Sequence, residues 1–152
     1  MREAELSVSI YGAAHEDPEI TVISWQGTGG KRYVTRKVLL RLPSGRRMLP
    51  DLVFELDDIV WIIEIKGSHA EALKEDEPKL DVLRTELQSE RILHFVELHG
   101  GHPVRPSVTP RYAVAYSSGE AELLCVPDIA HIPWEDMLQT GERLVDRLRG
   151  WA

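Results

Sequence analysis

The chain has 152 residues, 43% hydrophobic and 28% charged, the balance of one globular domain with a real core over residues 1–152, which excludes a disordered or fibrous protein. Its longest apolar run, Ile59 to Ile63, is far short of a membrane helix, and the opening MREAELSV carries acids where a secretory leader needs an unbroken apolar stretch, so a cytoplasmic protein without membrane contact is expected. With 18 basic against 25 acidic residues the formal charge is -7, and the single cysteine, Cys125, excludes an internal disulfide and a cysteine-ligated iron–sulfur cluster.

In chain order, Arg2 to Ala14 can form a helix with Leu6, Ile10 and Ala13 or Ala14 on one face, although Ser7, Val8 and Ser9 read equally well as strand. Ile20 to Gln26 is a strand that ends at the turn Gly27-Thr28-Gly29-Gly30. The segment GTGGK has neither the Walker spacing nor a helix after it, so it is a turn and not a phosphate loop. Tyr33 to Leu42 is a second strand, turning at Pro43-Ser44-Gly45 toward a third that begins near Asp51, which predicts three antiparallel strands in sequence. Val53 to Leu56 and Ile59 to Ile65 are rich in β-branched and aromatic residues, and Asp57-Asp58 between them is turn chemistry, which predicts a hairpin.

Past that hairpin, Gly67 frees the chain to leave the sheet and Ser68 can cap a helix over His69 to Glu77. Pro78 interrupts or restarts it, and the Leu80, Leu83 and Leu87 stripe extends it to about Arg91. Ile92 to Leu98 reads as helix or strand, and periodicity does not decide. HGGHPVRPSVTP is a loop, in which His99 and His102 are solvated residues, not a metal pair. Arg111 to Ser117 and Glu122 to Val126 are strands, with Cys125 a small buried hydrophobe. Pro133 starts the last helix, whose Trp134, Met137, Leu138, Leu144, Val145 and Leu148 face the core.

Chemistry concentrates in residues 50 to 66, PDLVFELDDIVWIIEIK. If Asp57 and Asp58 are the whole loop, paired positions sum to 115, so Leu56 faces Ile59, Phe54 faces Trp61 and Asp51 faces Glu64. Cross-strand partners have Cβ atoms about 4.5 to 5.5 Å apart, close enough for two carboxylates to grip one cation. Lys66, two residues beyond Glu64, joins the same face. The other face carries Leu52, Phe54, Leu56, Ile59, Trp61, Ile63 and Ile65 and is expected to be core, while the charged face begins with Val53, Val60 and Ile62 and turns polar only toward one end. Charges at the tips of apolar strands cost desolvation, which favours a site over a packing solution; the bland alternative is an exposed Glu64–Lys66 pair contributing about 0 to 1 kcal/mol.

The pattern Pro50-Asp51, twelve intervening residues, then Glu64-Ile65-Lys66, with apolar strands before both acids, resembles the PD-(D/E)XK nuclease superfamily. The resemblance implies an α/β, restriction-endonuclease-like fold with a central mixed β-sheet flanked by α-helices. It extends residue by residue over Pro50 to Lys66 and, as an order of elements, over residues 1 to 117. It implies a Mg2+-dependent (or Mn2+-dependent) deoxyribonuclease, endonuclease rather than exonuclease, in which Asp51, Glu64 and the Ile65 carbonyl are metal ligands and Lys66 orients or helps deprotonate the attacking water. Hard oxygen donors suit those cations better than zinc. An acidic residue from the first helix often completes such sites, and Glu3, Glu5 and Glu16 are the candidates. Gln88 matches the glutamine that recombination-type exonucleases of the superfamily carry on the next helix, but the accompanying tyrosine is missing.

A DNA partner has to be reconciled with the acidic net charge. From Thr28 to Pro50 there are seven basic residues and no acidic one, against 11 basic and 25 acidic in the remainder, so charge is segregated. Lys31, Arg32, Arg36, Lys37, Arg46 and Arg47 are the candidate nucleic-acid-binding residues, with Arg46 and Arg47 nearest the chemistry. Limited basic surface is also consistent with a homodimer or larger assembly. RNA as substrate is a variant of this reading, and a non-catalytic nuclease-fold module binding a protein partner is the alternative from a different class.

Overall fold

The computed structural model describes residues 1–27, 38–41, 47–87, 95–97, 109–118, 126 and 128–151. Leu6, Ile10 and Ala14, spaced four apart, make the fully buried stripe of helix α1 (Glu3–Glu16), so the helical reading of the N-terminal segment holds over the strand alternative. Strand β1 (Thr21–Trp25) follows, then β2 (Val38–Arg41), β3 (Arg47–Met48), β4 (Leu52–Leu56) and β5 (Ile59–Ile65). The β4–β5 hairpin has the expected register throughout, Leu52 opposite Ile63 to Leu56 opposite Ile59. Asp57 and Asp58 have φ of 53° and 63°, the doubly left-handed turn whose twist matches the flanking strands. Such φ values are unfavourable for residues other than glycine, and Asp57 gains a compensating contact: its carboxylate accepts from Arg149 Nε at 2.7 Å and Nη2 at 3.0 Å.

Beyond β5 the chain crosses the sheet through α2 (His69–Glu71), a π-helical turn (Ala72–Asp76) and α3 (Glu77–Leu87). Ser68 caps α2, its hydroxyl accepting from the Glu71 N–H at 3.3 Å. The helix runs on past Glu77 instead of stopping there: Pro78 has no N–H for a regular helical bond, and the wider turn before it absorbs the mismatch, with the Glu77 N–H reaching the Ala72 carbonyl five residues back. Residues 88–91 lie outside the described set. Phe95–Glu97 is strand β6, which decides the question left open at Ile92–Leu98. After β7 (Thr109–Tyr116) comes β8 (Ile129–Pro133), a strand that local patterning does not announce; the strand expected at Glu122–Val126, with Cys125, lies outside the described residues except for Val126. The C-terminal helix is two helices, α4 (Trp134–Thr140) and α5 (Leu144–Arg149), broken at Gly141 with φ 73°. The break removes Leu138 from the expected apolar stripe and leaves it 51% exposed, while Trp134, Met137, Leu144, Val145 and Leu148 are buried.

The fold is α/β, with a five-stranded mixed sheet in the order β1-β4-β5-β7-β8 flanked by helices. β1–β4 and β4–β5 are antiparallel, and β5–β7 and β7–β8 are parallel. The three consecutive antiparallel strands expected from the sequence do not form. β1 and β5 occupy the two edges of β4, so β2 pairs instead with β3 and β6 in a separate three-stranded sheet. Both faces of the main sheet are buried. Leu52, Phe54, Trp61, Ile63 and Ile65 pack on one side with α1, α4 and α5, and Val53, Val60 and Ile62 pack on the other with Ala72, Leu80 and Leu83. Among the described residues no helix is long and apolar enough to cross a membrane.

Candidate functional site

At the end of the β4–β5 hairpin away from its turn, the register brings Asp51 and Glu64 together. Leu56 and Ile59 flank a two-residue loop and so form a hydrogen-bonded pair, and alternation makes the Asp51–Glu64 position a non-hydrogen-bonded one, where Cα atoms approach to about 4.5 Å and side chains are closest. Asp51 also reaches around its neighbour: its Oδ2 accepts from the Ile65 N–H at 2.8 Å. Pro50 explains why. The paired register ends at Leu52–Ile63, and Pro50 has no N–H with which to extend it. Asp51 takes the Ile65 N–H. The Pro50 carbonyl instead accepts from Gln26 Nε2 at 3.0 Å, and the same amide nitrogen reaches the Leu49 carbonyl. The proline thus cannot carry the ladder past the paired acids.

Glu64 is 3% exposed. Burial, followed by the adjacent Asp51 carboxylate, pushes its carboxyl up to about 9, and the Lys79 ammonium, 3.1 Å from Oε1, only partly offsets this. Glu64 is therefore protonated at neutral pH without a cation. Lys66 lies at the same edge. Its ammonium is 3.2 Å from Glu75 Oε2 and 4.0 Å from Glu3 Oε1. The hydrogen bond to Glu75 is the main cause that holds its pKa above the ordinary value, so it is a cation here and not a base.

Of the acids on the first helix, Glu3 lines a cleft of about 340 Å3 with Ala4, Ser7, Gln26, Gly27, Asp51 and Ile65. Glu5 and Glu16 are exposed residues that do not line it. Among the described residues no three His, Cys, Asp or Glu side chains gather closely enough to enclose a metal ion; Asp51, Glu64 and the Ile65 carbonyl would be the donors offered to a cation. That set fits a hard divalent ion that retains water.

Two features of the site are not evident from the sequence. Lys79 and the buried Asp76 come from the crossover and meet β5 only through tertiary packing. The second feature is a polar chain over β7 and β8: the Tyr116 hydroxyl is 3.0 Å from His131 Nδ1, and His131 Nε2 is 3.1 Å from Glu77 Oε2. Glu77 Oε1 accepts from the Val126 N–H at 2.6 Å. Glu64, Val114 and His131 occupy one row across β5, β7 and β8, so this chain anchors the start of α3 two strands from the acid pair. Burial holds the His131 pKa below its ordinary value against the pull of Glu77, leaving the ring neutral at pH 7.

Of the expected nucleic-acid contacts, Lys31, Arg32, Arg36, Lys37 and Arg46 lie outside the described residues, as do Gln88, His99 and His102. Arg47 is placed by its backbone, paired with Arg41 across β2 and β3. Compared with protein-family models, curated proteins and solved structures, the chain has no match.

Proposed function

We propose that the chain is a metal-dependent phosphodiester hydrolase with a restriction-endonuclease-like fold, acting on DNA as an endonuclease. The observation that carries this reading is the Asp51–Glu64 pair, set at the buried end of a hairpin by a proline-terminated ladder, with the Lys66 ammonium at the same edge. Asp51, Glu64 and the Ile65 carbonyl would hold Mg2+ or Mn2+. When bound, such an ion lowers the pKa of a water and stabilises charge on the scissile phosphate. Glu64 contributes by giving up its proton as the cation arrives. Lys66, kept cationic by Glu75, offsets phosphate charge and orients the attacking water. The acid-free segment from Thr28 to Pro50 supplies the phosphate-facing surface, with Arg41 and Arg47 on adjacent strands.

The test is plasmid cleavage with magnesium by the wild-type chain, Asp51→Asn and Lys66→Ala. Cleavage by the wild type that both substitutions abolish is the expected result, and full activity in both variants would refute the assignment. The net charge of -7 favours a second reading, a non-catalytic module of the same fold that meets a protein partner. Absence of cleavage on both DNA and RNA with either cation would select it.

A further inference from the structure

The acidic candidates drawn from the sequence all belong to α1, yet the crossover places a better-buried carboxylate beside the acid pair. Asp76, the last residue of the π turn, is 3% exposed, and its Oδ2 is buried without a hydrogen-bond partner among the described residues. An unpaired carboxylate oxygen in a protein interior is costly and calls for a partner. The π turn packs against β5, and the charges of Lys66, Asp51 and Lys79 act on its last residue, which sets Asp76 at the edge where Lys66 and Glu64 meet. π turns are enriched at functional sites because the inserted residue redirects the side chains around it. Direct coordination is not the role, since among the described residues no third acid stands close enough to Asp51 and Glu64 to close a metal shell. A hydrated cation nevertheless needs acceptors for its own water hydrogens, and carboxylates one water away from a metal are the usual supply.

We propose that Asp76 is the outer carboxylate of this site, its unpaired oxygen accepting a hydrogen bond from a water on the cation held by Asp51 and Glu64. The inference rests on the proposed cation site and adds a positioning residue to it.

Calorimetric titration with manganese(II) at neutral pH tests it on the full chain, comparing wild type, Asp76→Asn, Asp76→Leu, Asp51→Asn and, as a charge control, Glu71→Gln at the exposed surface. The expected result is a loss of manganese affinity of about 10- to 100-fold in both position-76 variants, with unaltered binding in Glu71→Gln. Melting temperatures in chelator at or above that of the wild type would show that the loss is not unfolding, because each variant removes the cost of burying the carboxylate. Affinity within about twofold of wild type in either folded variant, together with lost binding in Asp51→Asn, overturns the role of Asp76 while leaving the cation site standing. No binding by the wild type overturns both. Failure of both variants to fold makes Asp76 a structural residue and also overturns the proposal.

Discussion

Replacing Glu64 by Gln should stabilise the chain in the absence of a cation, and the gain should grow with pH. The folded protein holds the Glu64 carboxyl at about 9 against an ordinary value of 4.5, so between those values the folded state binds a proton that the unfolded state has released. For a carboxyl shifted upward, stability is intact below the unfolded value and falls as pH rises toward the folded one. The slope is about 1.4 kcal/mol per pH unit, which puts the accumulated cost at about 4 kcal/mol by about pH 7.5. Gln has the shape of the protonated acid and is spared that cost, and because the folded-state Glu64 is uncharged at this pH, replacing it gives up little with the half-exposed Lys79 ammonium. The net expectation is a gain of about 3 to 4 kcal/mol near pH 7.5, or about 6 to 16 °C in Tm, and nearly none near pH 4.5. Urea denaturation in chelator, for both proteins at about pH 5, 6, 7 and 8, measures it. His131, whose lowered pKa makes stability fall as pH drops below its ordinary 6.5, acts equally in both proteins and cancels in the difference. A difference that stays flat from about pH 5 to 8, or a less stable Gln variant, would refute the burial argument on which the site is built.

Three further outcomes follow from the same geometry. Lys66→Ala should leave manganese affinity within a few-fold of wild type while lowering the cleavage rate by about 10²- to 10³-fold, as read by calorimetry and plasmid nicking. Glu77→Ala should destabilise the chain by about 2 to 4 kcal/mol in chemical denaturation, because it leaves the buried His131 Nε2 and the part-buried Val126 N–H without their partner. Arg46→Ala combined with Arg47→Ala should weaken DNA binding and flatten its salt dependence more than Lys74→Ala does, in fluorescence anisotropy at several salt concentrations.

What the sequence discloses about this fold is what short-range rules control. Asp57-Asp58 between two β-branched runs determines a two-residue loop, and a loop of known length determines every pairing to Leu52–Ile63, the two buried faces and the meeting of Asp51 with Glu64. The α1 stripe is legible for the same reason, since spacing by four needs no knowledge of the rest of the chain. Long-range pairing is not legible. Whether Val38–Arg41 joins β4 or a separate sheet depends on β1 having already taken that edge, and β8 is a strand because β7 offers it a parallel partner. Pro78 signals a disturbance in the helix but not its form, and the π turn it accompanies is what brings Asp76 and Lys79 to the acid pair. Leu138 fits the apolar period of one long helix and is exposed only because Gly141 turns the chain. His131 and Glu77, 54 residues apart, have no local pattern to connect them.

The paired-acid site is tested most directly by a crystal of the chain soaked with manganese and read by its anomalous scattering. The account predicts one peak between Asp51 and Glu64, within ligand distance of both carboxylates and of the Ile65 carbonyl. A peak elsewhere, or none at a concentration that saturates binding in solution, would contradict it.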